Sequence, residues 1–262
     1  MACSQIFSGD LPELVYEILH HIQNDISTLH SCILINRAWC RLAIPLLWKD
    51  PFSSKFPKNY SFIEIYLHNL SEESKSLLND YGINRHLFPS NILFNYISFI
   101  KCLCTRNIRC SVERWIAAVN TSTYEPTINF KRLIYRVLLN KIIENNVKLH
   151  TLKVELNVNR YHKYFDDFYD FISENPNFIV NIRNLNLHLV VKPENVSRIY
   201  FFLKFLYSHC SSISSLSCKL YFKLSTVDNN DINLTQKPLL QLIGNQKNLK
   251  KISFMLIWVV RY

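Results

Sequence analysis

The sequence predicts an α/β protein that consists of a small N-terminal helical module, a helical connector and an array of alternating helices and strands. Apolar residues recur at steps of three and four over the first fifty residues, a spacing typical of helices. Four short alternating stretches follow residue 128, and each comes after an amphipathic stretch. Hydrophobic residues make up 48% of the 262 residues, which is enough to bury a sizeable core.

The first helix is predicted to begin near residue 10. Asp10 can accept hydrogen bonds from the free N–H groups of the first turn, Glu13 can reach back towards it, and Pro12 stands where a missing N–H costs nothing. Six apolar residues then share one stripe of the helix: Leu11, Leu14, Val15, Ile18, Leu19 and Ile22.

Two further helices are predicted before residue 50. A second apolar piece covers residues 27–35, and Asn36 can cap a third helix whose apolar face carries Trp39. Pro45 is expected to kink or end that third helix, because proline lacks the N–H that a helix interior needs. Three helices within about forty residues bury too little surface to be stable alone, so the module is expected to need a partner.

Three motifs in this module share a known order and spacing. They are Leu-Pro-x-Leu-x-x-x-Ile-Leu at 11–19, Asn-Arg-x-Trp-x-x-Leu-Ala at 36–43 and Leu-Leu-Trp at 46–48. Together they resemble the F-box, over about residues 9–52. The resemblance implies a non-enzymatic adaptor of a ubiquitin ligase that docks on a Skp-type adaptor, and through it on a cullin, and that recognises a client protein. It assigns adaptor-binding roles to Leu11, Pro12, Leu14, Ile18, Leu19, Ile35 and Trp39.

Core packing within the three helices is an equal alternative for Leu14, Leu19 and Trp39. Leu11 and Pro12 are the stronger candidates for adaptor binding, because residues at a helix start have less of their own module to pack against. The module is expected to span residues 1–52 and a helical connector residues 53–127. Within the connector, the apolar and aromatic segment 88–119 is predicted to form packed helices.

The third region, residues 128–262, is predicted to be a repeat array. Alternating stretches with the pattern apolar-x-x-apolar-x-apolar-x-apolar begin at 149, 182, 213 and 249, and helical stretches precede them at 130–144, 164–173, 196–209 and 238–243. This pattern resembles the leucine-rich repeat, with an ordinary α/β domain as the alternative. We expect the array to be incomplete at the C-terminus, so that its last strand is uncapped and mediates self-association.

The charge pattern argues against a nucleic-acid partner. The formal net charge is +10, but the lysines and arginines are scattered singly, which favours an ordinary solvated surface. A basic solenoid that binds nucleic acid remains the rival hypothesis, and a truncated repeat protein without a ligase role is a further alternative. No apolar run is long enough to span a bilayer, so no membrane partner is expected.

Residues that could carry catalysis or bind a cofactor are scattered. The three glycines lie far apart, so no phosphate-binding loop can be assembled, and no cofactor, metal or enzymatic activity is expected. The eight cysteines predict a reduced protein of the cytoplasm or nucleus, and Cys102, Cys104 and Cys110 are interpreted as buried thiols rather than zinc ligands. The acidic group Asp166, Asp167 and Asp170 is predicted to lie on a solvated helix face.

Overall fold

In the computed structural model, which describes residues 11–53, 60–68, 70, 72–120, 127–156, 162–223 and 229–259, the first three helices form a unit with its own core. They are α1 (Pro12–His21), α2 (Ile26–Cys32) and α3 (Arg37–Leu47). Their buried apolar side chains contact one another and form a cluster separate from the main core: Val15, Leu19, Leu29, Cys32, Trp39 and Ala43.

The ends of these helices follow local chemistry. Asn36 accepts a hydrogen bond from the N–H of Trp39 at 3.0 Å, which confirms the predicted cap of α3. Asp25 caps α2 in the same way, through the N–H of Thr28 at 3.1 Å. Pro12 is the first residue of α1, whereas the predicted cap Asp10 lies outside the described residues. Pro45 lies in the last turn of α3, which ends two residues later at Leu47.

Short helices and aromatic contacts join this module to the rest of the chain. The helical elements are α4 (Phe62–Tyr66), α5 (Glu72–Asp80) and two 3-10 turns, Arg85–Leu87 and Tyr96–Phe99. The ring of Trp48, directly after α3, packs against Tyr66 and Tyr96, with centroid distances of 5.6 and 4.3 Å. Phe52 belongs already to the main hydrophobic core, so the chain enters that core immediately after the module.

The prediction that residues 88–119 are all packed helices is wrong. The segment contains the 3-10 turn at Tyr96–Phe99, a strand β1 (Cys102–Cys104) and only then a long helix, α6 (Thr105–Val119). The strand is three residues long and exists because it pairs with Thr151–Lys153, nearly fifty residues later. Strand formation depends on such tertiary pairing more than on local preference, so the local pattern did not reveal it.

Five parallel strands form one sheet in sequential order, β1 to β5, which confirms an α/β fold. The other four strands are β2 (Thr151–Leu156), β3 (Asn184–Val191), β4 (Ser215–Lys223) and β5 (Lys251–Val259). Helix α7 (Ile128–Glu144) precedes β2, and the later strands are connected by α8 (His162–Glu174), α9 (Val196–His209) and α10 (Asn229–Gly244). A 3-10 turn at Pro176–Phe178 follows α8.

Helix α10 begins nine residues before the predicted start at Pro238. Proline is common in the first helical turn, and for that reason the sequence pattern placed the start there. In the structure Pro238 lies inside the helix, and the preceding residues Ile232 and Leu234 pack against the main core. Tertiary packing therefore keeps the chain helical on both sides of Pro238, although proline usually interrupts a helix.

The register aligns the predicted alternating stretches position by position. Leu152, Leu185, Leu216 and Ile252 form one row across β2 to β5, and the rows from Val154 and Leu156 continue in the same way to Phe254 and Leu256. These rows face the helices and are buried in β2, β3 and β4. The opposite side of the sheet, here called the open face, carries partly or fully exposed residues.

A repeated hydrogen-bond pattern marks the point where the chain enters each strand. At each entry, the N–H groups of the last residue before the strand and of the first strand residue both donate to one carbonyl oxygen from the preceding entry point or, at β1, from Lys49, at distances between 2.8 and 3.1 Å. The five accepting residues are Lys49, Lys101, His150, Arg183 and Ser214. The same geometry thus recurs once per strand, from the end of the helical module to β5.

Candidate adaptor-binding surface

Helix α1 buries only one edge of its apolar stripe. Val15 and Leu19 are fully buried against α2 and α3, whereas Leu11 and Leu14 are 37% and 44% exposed. Pro12 is exposed as well, and Ile18 is half-buried between the two edges. A short helix that packs against two short partners can cover about half of a wide stripe, so its other edge stays in contact with water.

The turn between α2 and α3 presents a second apolar element. Leu34 is 75% exposed and Ile35 is 42% exposed, directly before the cap residue Asn36. Neither side chain is needed by the core, because the chain reverses direction there between two helices. Isolated exposed apolar residues are common on protein surfaces, but two consecutive large ones in a turn are a feature that binding sites share.

The predicted site residues divide into two groups. Leu11, Pro12, Leu14 and Ile35 are exposed, and Ile18 is partly accessible beside them. Leu19 and Trp39, with 0% and 4% exposure, are buried in the core of the module, so they support the surface and do not form it. Sequence reasoning missed Leu34, which is 75% exposed. The sequence signal that could have revealed Leu34 was the pair of large apolar residues Leu34–Ile35 directly before the helix cap Asn36. Residues in such a turn have no helical face through which to reach the core.

Polar groups border the stripe on the remaining sides of α1. His21 donates through Nδ1 to the carbonyl oxygen of Glu17 at 2.9 Å, and Glu13 and His20 are exposed. At the start of α2, hydrogen bonds from the hydroxyl and N–H of Thr28 lower the pKa of Asp25. The apolar stripe of α1 is thus flanked by polar side chains, as the apolar centres of protein-binding surfaces commonly are.

Two of the three carboxylates of the acidic group on α8 form ion pairs, and the third, Asp170, is exposed as predicted. Asp167 is 6% exposed and accepts two hydrogen bonds from the guanidinium of Arg132, both at 2.7 Å. Asp166 lies 3.5 Å from Arg198. The prediction of a solvated face is therefore wrong for Asp167, because its buried carboxylate requires a paired cation.

The cysteines of β1 are free thiols. Burial raises the pKa of both Cys102 and Cys104, which favours the neutral thiol over the thiolate that binds metals. Across the part of the chain that the structure describes, no three His, Cys, Asp or Glu side chains are grouped so that they could hold a metal ion. In that same part, no helix is both long and apolar enough to cross a membrane.

Comparison with known proteins found no matching family model, no matching curated protein and no matching solved structure. A function for this chain must therefore be argued from its own residues. Three surfaces of the described chain are open to a partner: the apolar stripe of α1, the turn between α2 and α3, and the open face of the sheet.

Proposed function

We propose that this protein is a non-enzymatic adaptor of a ubiquitin ligase. Its N-terminal module binds a Skp-type adaptor, and through it a cullin, while the strand–helix array holds a client protein. The observation that carries the proposal is that the module completes a small core of its own and still leaves Leu11, Leu14 and Ile35 in contact with water. The F-box-like motifs at 11–19 and 36–48 supply the identity of the partner.

The exposed apolar area is large enough to matter for binding. Fully burying a leucine or isoleucine side chain contributes about 1.5 to 3 kcal/mol. Scaled by their exposed fractions, the four side chains Leu11, Leu14, Leu34 and Ile35 would together contribute about 3 to 6 kcal/mol on complete burial, before the cost of association. A partner that covers both the stripe and the turn would therefore gain a substantial part of its binding energy there.

The architecture of the sheet supports a repeat array of the leucine-rich kind. Parallel sheets in ordinary α/β domains have helices on both faces, so that both faces are buried. Here, none of the open-face residues whose burial is described is buried. Sequential strand order and a carbonyl that accepts two N–H groups at every strand entry are features of stacked repeats. Such arrays offer one continuous face to a client.

The test of the adaptor role uses the double substitution Leu11→Ala and Pro12→Ala in the full chain. We expect it to weaken binding to a purified Skp-type adaptor at least about tenfold, since interface energy concentrates in a few anchors. Isothermal titration calorimetry measures the affinity, and circular dichroism checks that the array stays folded.

His20→Ala is the matched control, because His20 is exposed on the same helix but on the side opposite the stripe. Its affinity should equal that of the wild type. Unchanged binding by the double variant, or no binding by the wild type, would remove the basis of the assignment.

A further inference from the structure

The points of strand entry form a row of partly or fully exposed, mostly basic residues. The five residues directly before the strands, here called the entry row, are Lys101, His150, Arg183, Ser214 and Lys250. The repeated carbonyl contacts hold their backbones in line across the sheet, one residue per strand. Since parallel strands lie about 4.8 Å apart, the cations Lys101, Arg183 and Lys250 recur about every 10 Å, at every second strand.

Three lysines of the open face continue from this row along the strands, at one, three and five residues beyond it: Lys251, Lys153 and Lys219. Lys153, Lys219 and Lys251 occupy strand positions that alternate with the buried rows, so they all belong to the open face. Lys153 and Lys251 are exposed and Lys219 is half-exposed. The register neighbours of Lys153 and Lys251 on the open face are small polar residues: Thr151, Asn184, Asn186, Ser215, Ser217 and Ser253. Lys219 instead lies between His188 and Met255, in a register row that continues to Glu155.

The charges of the molecule are unevenly distributed. None of the six cations of the entry row and open face lies within ion-pair distance of a carboxylate in the described segments. Of these cations, Lys153 has a described acidic residue, Asp50, in its electrostatic neighbourhood. Glu155 is the single acidic residue in the five strands, and its carboxylate lies 3.5 Å from Arg106. On the helical side, by contrast, carboxylates neutralise arginines, as in the pairs Arg109–Glu113 at 2.8 Å and Arg132–Asp167 at 2.7 Å.

The titration of the nearby histidines reflects the same positive field. Burial and then the charges of Lys101 and Arg183 lower the pKa of His150. Burial and then the charge of Lys219 likewise lower the pKa of His188 on the open face, and the opposing charge of Glu155 does not reverse this direction. A row of unpaired cations that opposes the protonation of its neighbours favours an anionic partner.

We propose that the entry row and the adjacent open-face lysines bind an extended, Asp- and Glu-rich segment of a client protein. The row spans four strand spacings, about 20 Å, which an extended segment of about six residues covers. Lysines, serines and asparagines that are at least partly accessible supply a cation or a hydrogen-bond donor for each carboxylate. The inference rests on the proposed function only in describing the segment as part of a client.

Nucleic acid is the less suitable anion for this surface. Binding of single strands relies on aromatic side chains on which bases stack. Among the described residues of the open face, Tyr221 and the imidazole of His188 are the only rings, and they contact each other with a centroid distance of 6.5 Å. The dominant chemistry is instead that of separate lysines among small polar side chains, which suits carboxylates spread along a peptide.

The experiment measures fluorescence anisotropy of a labelled twelve-residue peptide of alternating Glu and Ser on the purified full chain. The test variant carries Lys153→Gln, Arg183→Gln and Lys219→Gln. The control carries Lys163→Gln, Lys204→Gln and Lys237→Gln, which remove the same charge from positions on α8, α9 and α10. We expect the test variant to bind about tenfold more weakly, and the control to stay within about twofold of wild type.

Two further probes separate the alternatives. A peptide with Gln in place of Glu should not bind, and an oligothymidylate of equal charge should bind more weakly than the Glu peptide. Equal losses in the two variants, binding of the Gln peptide, or tighter binding of the oligonucleotide would each overturn the inference. Adaptor binding is measured on the same samples, so that a chain that binds the Glu peptide but no adaptor contradicts the proposed function alone.

Discussion

At the β1 edge of the sheet, the chain itself occupies the outer hydrogen-bonding groups. The carbonyl of Lys49, at the end of the helical module, accepts the N–H groups of Lys101 and Cys102 at 2.8 and 3.0 Å. Beyond the end of β1, the hydroxyl of Thr105 accepts the N–H of Glu155 at 3.0 Å. At the β5 edge no described residue plays such a part, and the helix-facing side chains Ile252, Phe254, Leu256 and Trp258 are 39% to 51% exposed.

The two edges differ in length and composition as well. The outer strand β1 has three residues, whereas β5 has nine and carries its only charge at Lys251. Proteins protect exposed edges with short strands, charges or covering segments, and β1 has the first and last of these. Strand β5 instead continues the apolar rows of β4, so it has the composition of an internal strand at an outer position.

The largest difference in stability should be seen between alanine substitutions of two leucines that lie in the same register row. Leu220 on β4 is fully buried, and its partner Leu256 on β5 is 39% exposed. We expect Leu220→Ala to lower the free energy of unfolding by about 3 to 5 kcal/mol and Leu256→Ala by about 1 to 2 kcal/mol, because only the first leaves a closed cavity. Urea unfolding measures both values. Equal losses would mean that the β5 edge is covered in solution.

A smaller effect should come from the covered edge. Thr105 is 7% exposed, and Thr105→Val keeps its shape while removing the oxygen that accepts the N–H of Glu155. We expect a loss of about 1 to 3 kcal/mol in the free energy of unfolding, the usual cost of a buried donor left without an acceptor. Thr105→Ser retains the hydroxyl and is the control. If the serine and valine variants are equally stable, the hydroxyl does not protect this edge.

The smallest effect on stability should come from a charge on β5. Phe254 is 45% exposed, so Phe254→Lys should cost the folded chain only about 1 kcal/mol. The same change should abolish self-association, which we expect of the wild type because an apolar edge with a single charge at one end pairs readily with another copy. Sedimentation velocity at micromolar concentration tests this.

The control for that experiment is Leu240→Lys. Leu240 is 66% exposed on α10, away from the strand edge, so this variant should associate as the wild type does. A wild type that sediments as a monomer would contradict pairing through β5.

Much of this fold is determined by local sequence. Helices α1 and α3 follow from apolar spacing and from the amide side chain of Asn36, and β2 to β5 follow from period-two alternation at the positions where the register aligns them. The exposure of Leu11 and Pro12 also follows from their position in the sequence, because a helix start has few neighbours in its own module.

Tertiary structure decided the features that depend on partners distant in the chain. Strand β1 exists through its pairing with β2, Asp167 is buried because Arg132 reaches it from another helix, and Leu19 and Trp39 belong to a core rather than a surface. The alignment of the cations in the entry row also required the folded chain, since these residues are far apart in the sequence. Periodicity shows which side of an element is apolar, but the free energy that buries or exposes that side comes from elements that meet only in the folded chain.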